Sequence, residues 1–365
     1  MFFIGASALM FIIAFVVIHF LVVPLQIPLG FKVLFSLLIL LISQKMVIFS
    51  MFFRSEGFYR LPAWFMIVTG FLQIWLIILF LLMMAGIVIS LVLLLFNIEI
   101  PYLMGILFII SLIVSADGIW NTFKVPPVKE ITVSVPQAPV DFEPLKMVQL
   151  SDLHIGSGFS KAWLQQVVDK TNALKPDVIL ITGDTIDGYP KELLPQLEPL
   201  KQLKAPLGVY MVLGNHEYYF GAKAWTEAFE QMGIPVLVNQ SVILRDDDQA
   251  VALGGVPALE AKPDVRATFN GIGDRVPRVL MAHFPASAPI FANERVDLQV
   301  SGHTHGGQMF WPFNRLVGMF NNGFIKGLYP IGDMVLYVSA GTGLWGGFPV
   351  RLMTPSEITL ITLKR

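Results

Sequence analysis

The sequence contains no cysteine. A disulfide framework, an iron–sulfur cluster and a thiolate zinc site are therefore excluded, while both sides of a membrane stay open as compartments. Charge is the second scarcity: 14% of the 365 residues are Asp, Glu, Lys or Arg, against about 25% in soluble proteins. The shortage is local. The first 123 residues hold seven charged side chains (Lys32, Lys45, Arg54, Glu56, Arg60, Glu99 and Asp117), and the other 242 hold 44. A membrane segment followed by a water-soluble domain accounts for that split, and a plain cytosolic enzyme does not. The net charge of −1 removes the electrostatic reason to expect nucleic acid as a partner. No Lys or Arg precedes the first apolar run and no twin-Arg pair is present, so the start makes a poor cleavable signal.

The first 123 residues carry four apolar runs: 2–23, 31–53, 62–96 and 100–116. A helix of about 20 apolar residues crosses a ~30 Å hydrocarbon core, where no water is present to satisfy an exposed backbone. The first, second and fourth runs each predict one span. The third spans 35 residues and reads as one long, tilted helix, entered by an interfacial stretch near Trp64 and open to a kink at Gly70 or Gly86. A tight hairpin is the other reading. With four spans, Arg54 and Arg60 between spans two and three and Lys124 and Lys129 after span four place the C-terminal domain in the cytoplasm of a multi-pass inner-membrane protein. A hairpin would put the domain outside. His19 lies near a helix end and Lys45 can snorkel, so neither is read as a site. The helices are read as an anchor in the lipid bilayer. Residues 124–145, with Pro126, Pro127, Pro136, Pro139 and Pro144, form a Pro-rich connector carrying a short edge strand near 131–135, and residues 146–365 form the catalytic domain.

Beyond residue 145 short apolar runs alternate with amphipathic ones. Runs 147–150, 178–182, 209–213, 279–282 and 298–301 predict buried strands; 160–174, with Ser160 as N-cap, and 222–232, stopped by Gly233, predict helices. Runs 242–244, 251–254, 334–339 and 357–363 suggest a second sheet. The expected fold is an all-α transmembrane bundle followed by an α/β sandwich of two sheets flanked by helices. Each early strand ends on chemistry: Asp152-Leu153-His154, Gly183-Asp184, Gly214-Asn215-His216-Glu217, His283, and Gly302-His303-Thr304-His305. Ligands collect at the carboxyl ends of strands in such sheets, and glycine lets the backbone turn there without a Cβ. Five of the six histidines fall in these segments. In a chain without Cys, this set suits hard or borderline divalent metals.

The series resembles the calcineurin-like metallophosphoesterase superfamily over residues 147–305. The motif Gly302-His303-Thr304-His305-Gly306-Gly307-Gln308 and the tail from Arg351 to Glu357 are similar to a bacterial branch that includes membrane-associated enzymes, some of which cleave a UDP-diacylglucosamine pyrophosphate. The resemblance implies two divalent ions, one on Asp152, His154 and His305, the other on Asn215, His283 and His303, with Asp184 bridging. A hydroxide shared by the ions would attack phosphorus in line. His216 would stabilise the transition state or protonate the leaving oxygen. Glu217 and Thr304 are expected in supporting roles. Manganese is the preferred ion, with iron or zinc as alternatives.

The function expected is a membrane-anchored phosphoesterase hydrolysing a phosphodiester or pyrophosphate bond, with a lipid-linked substrate favoured. The same chemistry on a soluble substrate, or a transporter or sensor with a regulatory domain, are the alternatives. Residues 309–329 and 341–348 (with Leu344 and Trp345) read either as core or as an apolar lip facing membrane or acyl chain. Arg315, Lys326 and Arg351 are candidate contacts for the substrate phosphate or headgroup, or ordinary surface or ion-pair residues. Asp246-Asp247-Asp248 reads as a solvated hairpin turn.

Overall fold

The computed structural model describes residues 2–52, 62–98, 100, 102–156, 158–245, 249–258 and 261–365. The bases Arg54 and Arg60, Glu99, and the Asp246–Asp248 turn lie outside the described residues. The chain forms two compact units, one of residues 1–121 with 346–352, the other of residues 122–345 with 353–365.

The first unit is helical: α1 (Phe2–Val17), continued by a wider turn over Ile18–Val22, α2 (Leu29–Ser43), α3 (Lys45–Phe52), α4 (Ala63–Leu94) and α5 (Leu103–Phe123), whose last two residues belong to the second unit. Two of these, α4 and α5, are long and apolar enough to cross a membrane; Ser7–Val22 and Leu29–Ser43 are shorter apolar helices. The long third run is one unbroken helix through Gly70 and Gly86, because both glycines serve packing. A Cβ on Gly70 would stand 2.5 Å from Pro349 Cγ, and one on Gly86 2.5 Å from Leu107 Cδ1. The second run breaks at Gln44 into α2 and α3. Met10, Ile13 and Val17 of α1 pack with Leu76, Leu79 and Met83 of α4. Lys45 is buried instead of reaching outward: its Nζ lies 3.4 Å from the Gly347 carbonyl and 4.8 Å from the Phe49 ring centroid.

The second unit is a sandwich of two sheets. One, in the order β1-β11-β2-β3-β4, joins β1 (Val128–Ser134), β11 (Ile358–Lys364), β2 (Leu145–Leu150), β3 (Val178–Ile181) and β4 (Val209–Met211). The other, in the order β5-β6-β7-β8-β10-β9, joins β5 (Gln240–Ile243), β6 (Ala252–Gly255), β7 (Arg278–Met281), β8 (Leu298–Ser301), β10 (Met334–Val338) and β9 (Gly327–Ile331). Their facing sides share one core that includes Met147, Val178, Leu180, Val279, Met281, Val300 and Ile361. Helix α6 (Lys161–Ala173) starts as expected, with Ser160 Oγ accepting from Trp163 N at 3.2 Å.

One expectation changes. The last strand, placed in the second sheet from the order of the chain, instead enters the first, antiparallel to β2 and parallel to β1. Alternation marks a strand and its faces but not its neighbour; the edge left open beside β2 decides that. Conversely β7 and β8, read beside the early strands, belong to the second sheet. Within the sheets β2, β3 and β4 run parallel, as do β6, β7, β8 and β10.

Candidate metal centre

Five strand ends supply the site. Asp152 and His154 follow β2; Asp184 and Asp187 follow β3; Asn215, His216 and Glu217 open a short helix after β4; His283 follows β7, and His303 and His305 follow β8. Seven of the eight residues expected from the sequence (Asp152, His154, Asp184, His216, His283, His303 and His305) come together here, and Asn215 precedes His216 in the chain. Asp152, His154 and His305 bring one ligand atom each within 4.8 Å of one another, as do Asp184, His283 and His303, and His154, Asp184 and His216. Asp184 is central. Its Oδ2 lies 3.2 Å from His283 Nε2 and 3.8 Å from the Nε2 atoms of both His154 and His216. His305 Nε2 stands 3.7 Å from Asp152 Oδ1.

The backbone is bent to achieve this. Asp152, His154, Asp184, His303 and His305 all hold φ between 47° and 70°, a left-handed region that costs a non-glycine residue about 1–3 kcal/mol. Long-range hydrogen bonds hold them there: Asp152 N donates to Gly183 O and His154 N to Asp184 O, each at 3.0 Å, and His303 N donates to Asp152 Oδ1 at 3.0 Å. Two glycines matter for close approach. A Cβ on Gly302 would lie 1.9 Å from Ser151 Oγ and 2.3 Å from Asp152 Oδ2, and one on Gly214 2.2 Å from Asp184 Oδ1, so a hydroxyl and two carboxylates occupy the space a side chain would fill.

Supporting residues complete the arrangement. Glu217 is fully buried; its carboxylate accepts from Gly214 N at 2.8 Å, Asp184 N at 3.0 Å and Thr185 N at 2.6 Å. Asp187 was not singled out in the sequence, although it stands three residues after Asp184 in the same turn. Its buried Oδ1 meets Nδ1 of His154 at 2.8 Å and of His216 at 2.5 Å. One carboxylate therefore orients two imidazoles, as buried second partners of metal-site histidines do. Behind Asp152, Thr342 N donates to Ser151 O at 2.7 Å and Gly343 N to Asp152 O at 3.0 Å. That loop is itself held by Glu357: its carbonyl accepts from Thr342 Oγ1 at 3.0 Å, and its carboxylate from Tyr337 OH at 2.5 Å and Ala340 N at 3.1 Å. Thr304 donates to Ile325 O at 2.6 Å. The 341–348 lip reading fails for Leu344, which is fully buried. Arg351 is fully buried as well and no surface cation, its backbone N donating to Gly118 O within the helical unit.

The charges sort the groups. Burial raises the Asp152 pKa. For Asp184 burial acts the same way but is overcome by His283 and His216, which hold the carboxylate well below the usual range. Burial opposes a proton on His283 and His216, yet Asp184, joined at His216 by Asp187, pushes them up to about 10 and about 9. Burial and the neighbouring His283 bring His303 down to about 3, while burial and Asp184 raise Glu217 to about 7. Burial of Asp187 is outweighed by His154 and His216, which keep it ionised.

A metal fits this cradle. Buried His154 Nε2 and Asn215 Oδ1 find no hydrogen-bond partner among the described residues, a costly state for an interior polar atom unless a ligand takes the lone pair. Imidazole, carboxylate and amide oxygen together form a borderline donor set for first-row divalent ions.

The sequence profile of the family described as calcineurin-like phosphoesterase matches residues 145–307, the stretch that holds every one of these strand ends. An uncharacterized metallophosphoesterase of Campylobacter jejuni is 35% identical over 263 residues, covering 71% of this chain and 68% of its own. This chain belongs to the calcineurin-like metallophosphoesterase family. Its domain is thus that of a metal-dependent phosphoester hydrolase. Transmembrane proteins with a metallophosphoesterase domain from Danio rerio and Bos taurus are 35% and 33% identical, each over 70% of this phosphoesterase. It spans 62% and 61% of their respective lengths.

Proposed function

We propose that this protein is a membrane-anchored dimetal phosphoesterase that hydrolyses a phosphodiester or pyrophosphate bond of a lipid-linked substrate. Asp152, His154 and His305 would hold one ion and Asn215, His283 and His303 the other, with Asp184 shared; manganese is the ion we favour. When bound, the ions supply Lewis acidity to the phosphoryl oxygens and activate the attacking water. The protein's own part is orientation and proton transfer. The observation that carries the reading is the His216–Asp187 contact of 2.5 Å. It fixes Nδ1 as the oriented nitrogen and leaves Nε2, 3.8 Å from Asp184, facing the cluster. An imidazole held this way beside a carboxylate keeps a proton near neutral pH and can pass it to a departing oxygen. Asp187 acts through His216 and His154 as a positioning residue.

A lipid-linked substrate is supported by the apolar helices and by relatives named as transmembrane proteins, since an enzyme held at a bilayer meets lipid headgroups at high local concentration. Four spans and a cytoplasmic domain remain our reading of topology, carried by the bases of the short loops. The direct test is turnover of a panel of soluble and lipid-linked phosphoesters by manganese-loaded protein. We expect hydrolysis throughout the diester and pyrophosphate classes, fastest for the lipid-linked members. Equal or faster turnover of soluble esters would remove the lipid-linked assignment. Single cysteines at Asn97 and Asp274, in a chain without native Cys, should label from opposite sides of the membrane; labelling from one side would overturn the topology.

A further inference from the structure

We propose that the segment 311–320 is a membrane-contact surface that seats the phosphoesterase domain on the bilayer beside its metal-ligand loops. The inference rests on membrane anchoring and deepens the proposed function.

The segment follows the His305 turn and leads into the helix Asn314–Met319. Its inward side is ordinary: Gly318 is buried, Phe313 and Val317 are half-buried, and the Phe310 and Phe313 rings meet edge-on at 5.5 Å. The outward side is not. Trp311, Leu316, Met319 and Phe320 are 69%, 61%, 77% and 74% exposed. Leu316, Met319 and Phe320 follow the i, i+3, i+4 spacing that places side chains on one helix face, and Arg315 lies exposed on the same helix. Elsewhere in this domain large exposed apolar side chains such as Val140, Leu194, Ile290 and Met353 are scattered, the nearest pair being Val238 and Ile243, which is normal for a protein surface. Four within ten residues, one of them a Trp and with Arg315 beside them, form the pattern of a surface that enters the headgroup region: apolar bodies in the acyl boundary, cation at the phosphates.

The chain itself says which occupant to expect. Only Lys124–Pro127 separate the end of apolar helix α5 from β1, a link of at most about 14 Å when extended. The link belongs to the domain's own unit, where Lys170 Nζ donates to Pro126 O at 2.6 Å and the rings of Phe123 and Phe159 lie 5.2 Å apart. A domain tethered this closely to a membrane helix meets the bilayer at high effective concentration. The segment is also tied to the metal-ligand loops. Thr304, between His303 and His305, donates to Ile325 O at 2.6 Å, Asn322 Nδ2 donates to Ala286 O three residues after His283 at 2.9 Å, and a Cβ on Gly307 would press on Asn314 Cβ at 2.5 Å. A surface braced on those loops holds them at a constant depth below the headgroups.

The test uses the full chain in phosphatidylcholine nanodiscs. Because native Cys is absent, single spin labels at Leu316→Cys and Phe320→Cys can be compared with one at Ile243→Cys. The expected result is that labels at 316 and 320 are relaxed by oxygen and shielded from an aqueous nickel chelate, with the reverse at 243. Equal exposure of all three labels to nickel would overturn the proposal. So would spin–spin broadening between chains at 316 and 320, which would make the occupant a second copy. The double variant Leu316→Ser/Phe320→Ser should retain hydrolysis of soluble bis(p-nitrophenyl) phosphate and lose ~10-fold or more on a vesicle-borne phosphodiester, the scale of two apolar side chains leaving the lipid. Oxygen-side labels in a protein that turns over soluble esters only would uphold the contact surface and reject the lipid-linked substrate. An equal fall on both substrates, with nickel-accessible labels, would reject the surface and leave the substrate assignment standing.

Discussion

The helical unit and the phosphoesterase domain differ in how they satisfy their polar groups. In the helices most hydroxyls bond within a turn, although Ser7 meets Gln44, Trp75 reaches Ser111 and Lys45 reaches Gly347. Ser43 donates to Leu40 O at 2.7 Å, Thr69 to Phe65 O at 2.8 Å, Ser111 to Phe108 O at 2.6 Å and Ser115 to Ser111 O at 2.7 Å. In the domain the partners are distant. Gln149 reaches Thr182 at 2.8 Å and Ser301 O at 3.0 Å, Asp152 takes His303 N, and Tyr337 reaches Glu357. A helix in hydrocarbon must close its hydrogen bonds within itself, so its polar side chains become part of its own ladder. A site needs groups from many strands at one point, so its polar side chains must wait for the fold. One unit is built to be placed, the other to converge.

Breaking the convergence at its centre gives the largest effect. Asp184→Ala removes the carboxylate shared by both ligand groups; elemental analysis should find the metal content collapsed and hydrolysis at background. Two tightly held ions in that variant would disprove the shared role.

His216→Ala separates chemistry from metal binding. Metal content should stay near that of the unaltered protein while kcat falls by ~10²–10⁴-fold, the range for a positioned acid. The loss should shrink with a nitrophenol leaving group, which hardly needs a proton on departure. An equal loss for good and poor leaving groups would make His216 an electrostatic stabiliser; loss of an ion would make it a ligand.

A third comparison weighs distant against local bonds. Thr342→Val removes a hydroxyl that accepts from Ser151 N at 3.3 Å and donates to Glu357 O at 3.0 Å, and should cost about 1–3 kcal/mol together with weaker metal affinity by calorimetry. Ser115→Ala in α5 removes one bond within the helix and should cost about 1 kcal/mol or less, with metal affinity unchanged. Similar thermal shifts and similar affinities for the two would erase the distinction drawn between the units.

The smallest effect is a pH trend in metal-free protein. His216 is raised to about 9 by Asp184 and Asp187 against the opposing pull of burial, so its folded pKa exceeds the unfolded value of about 6.5. Its contribution is complete below the unfolded value and lost as pH rises through about 9. The thermal midpoint of metal-free protein should therefore fall across that window, and His216→Ala should flatten the fall. A midpoint that rises between those values would contradict the pairing.

Much of the site was legible because its signals are local. Asp152, His154, Asp184, Asn215, His283, His303 and His305 each stand just after an apolar run, and a strand followed by Gly and a ligand-type residue can be read without knowing its neighbours. Asp187 escaped because its importance lies in two imidazoles, 33 and 29 residues away in the chain, and not in its own surroundings. For Leu344 the structure chose core over lip, and it buried Arg351: an apolar or basic residue in a loop announces its type, while its burial depends on what the rest of the chain leaves above it.

By itself the sequence determined the division into apolar helices and a charged domain, the α/β pattern and the candidate donors at the strand ends. These follow from side-chain chemistry and from periods of a few residues. Only the tertiary structure decided that β11 completes the first sheet, that two sheets and not one carry the candidate ligands, and that five of those residues sit in left-handed backbone. Each of those outcomes is a competition among distant partners for the same edge, core or carboxylate. A strained dihedral or a shared acid persists only where the whole fold supplies enough hydrogen bonds to hold it.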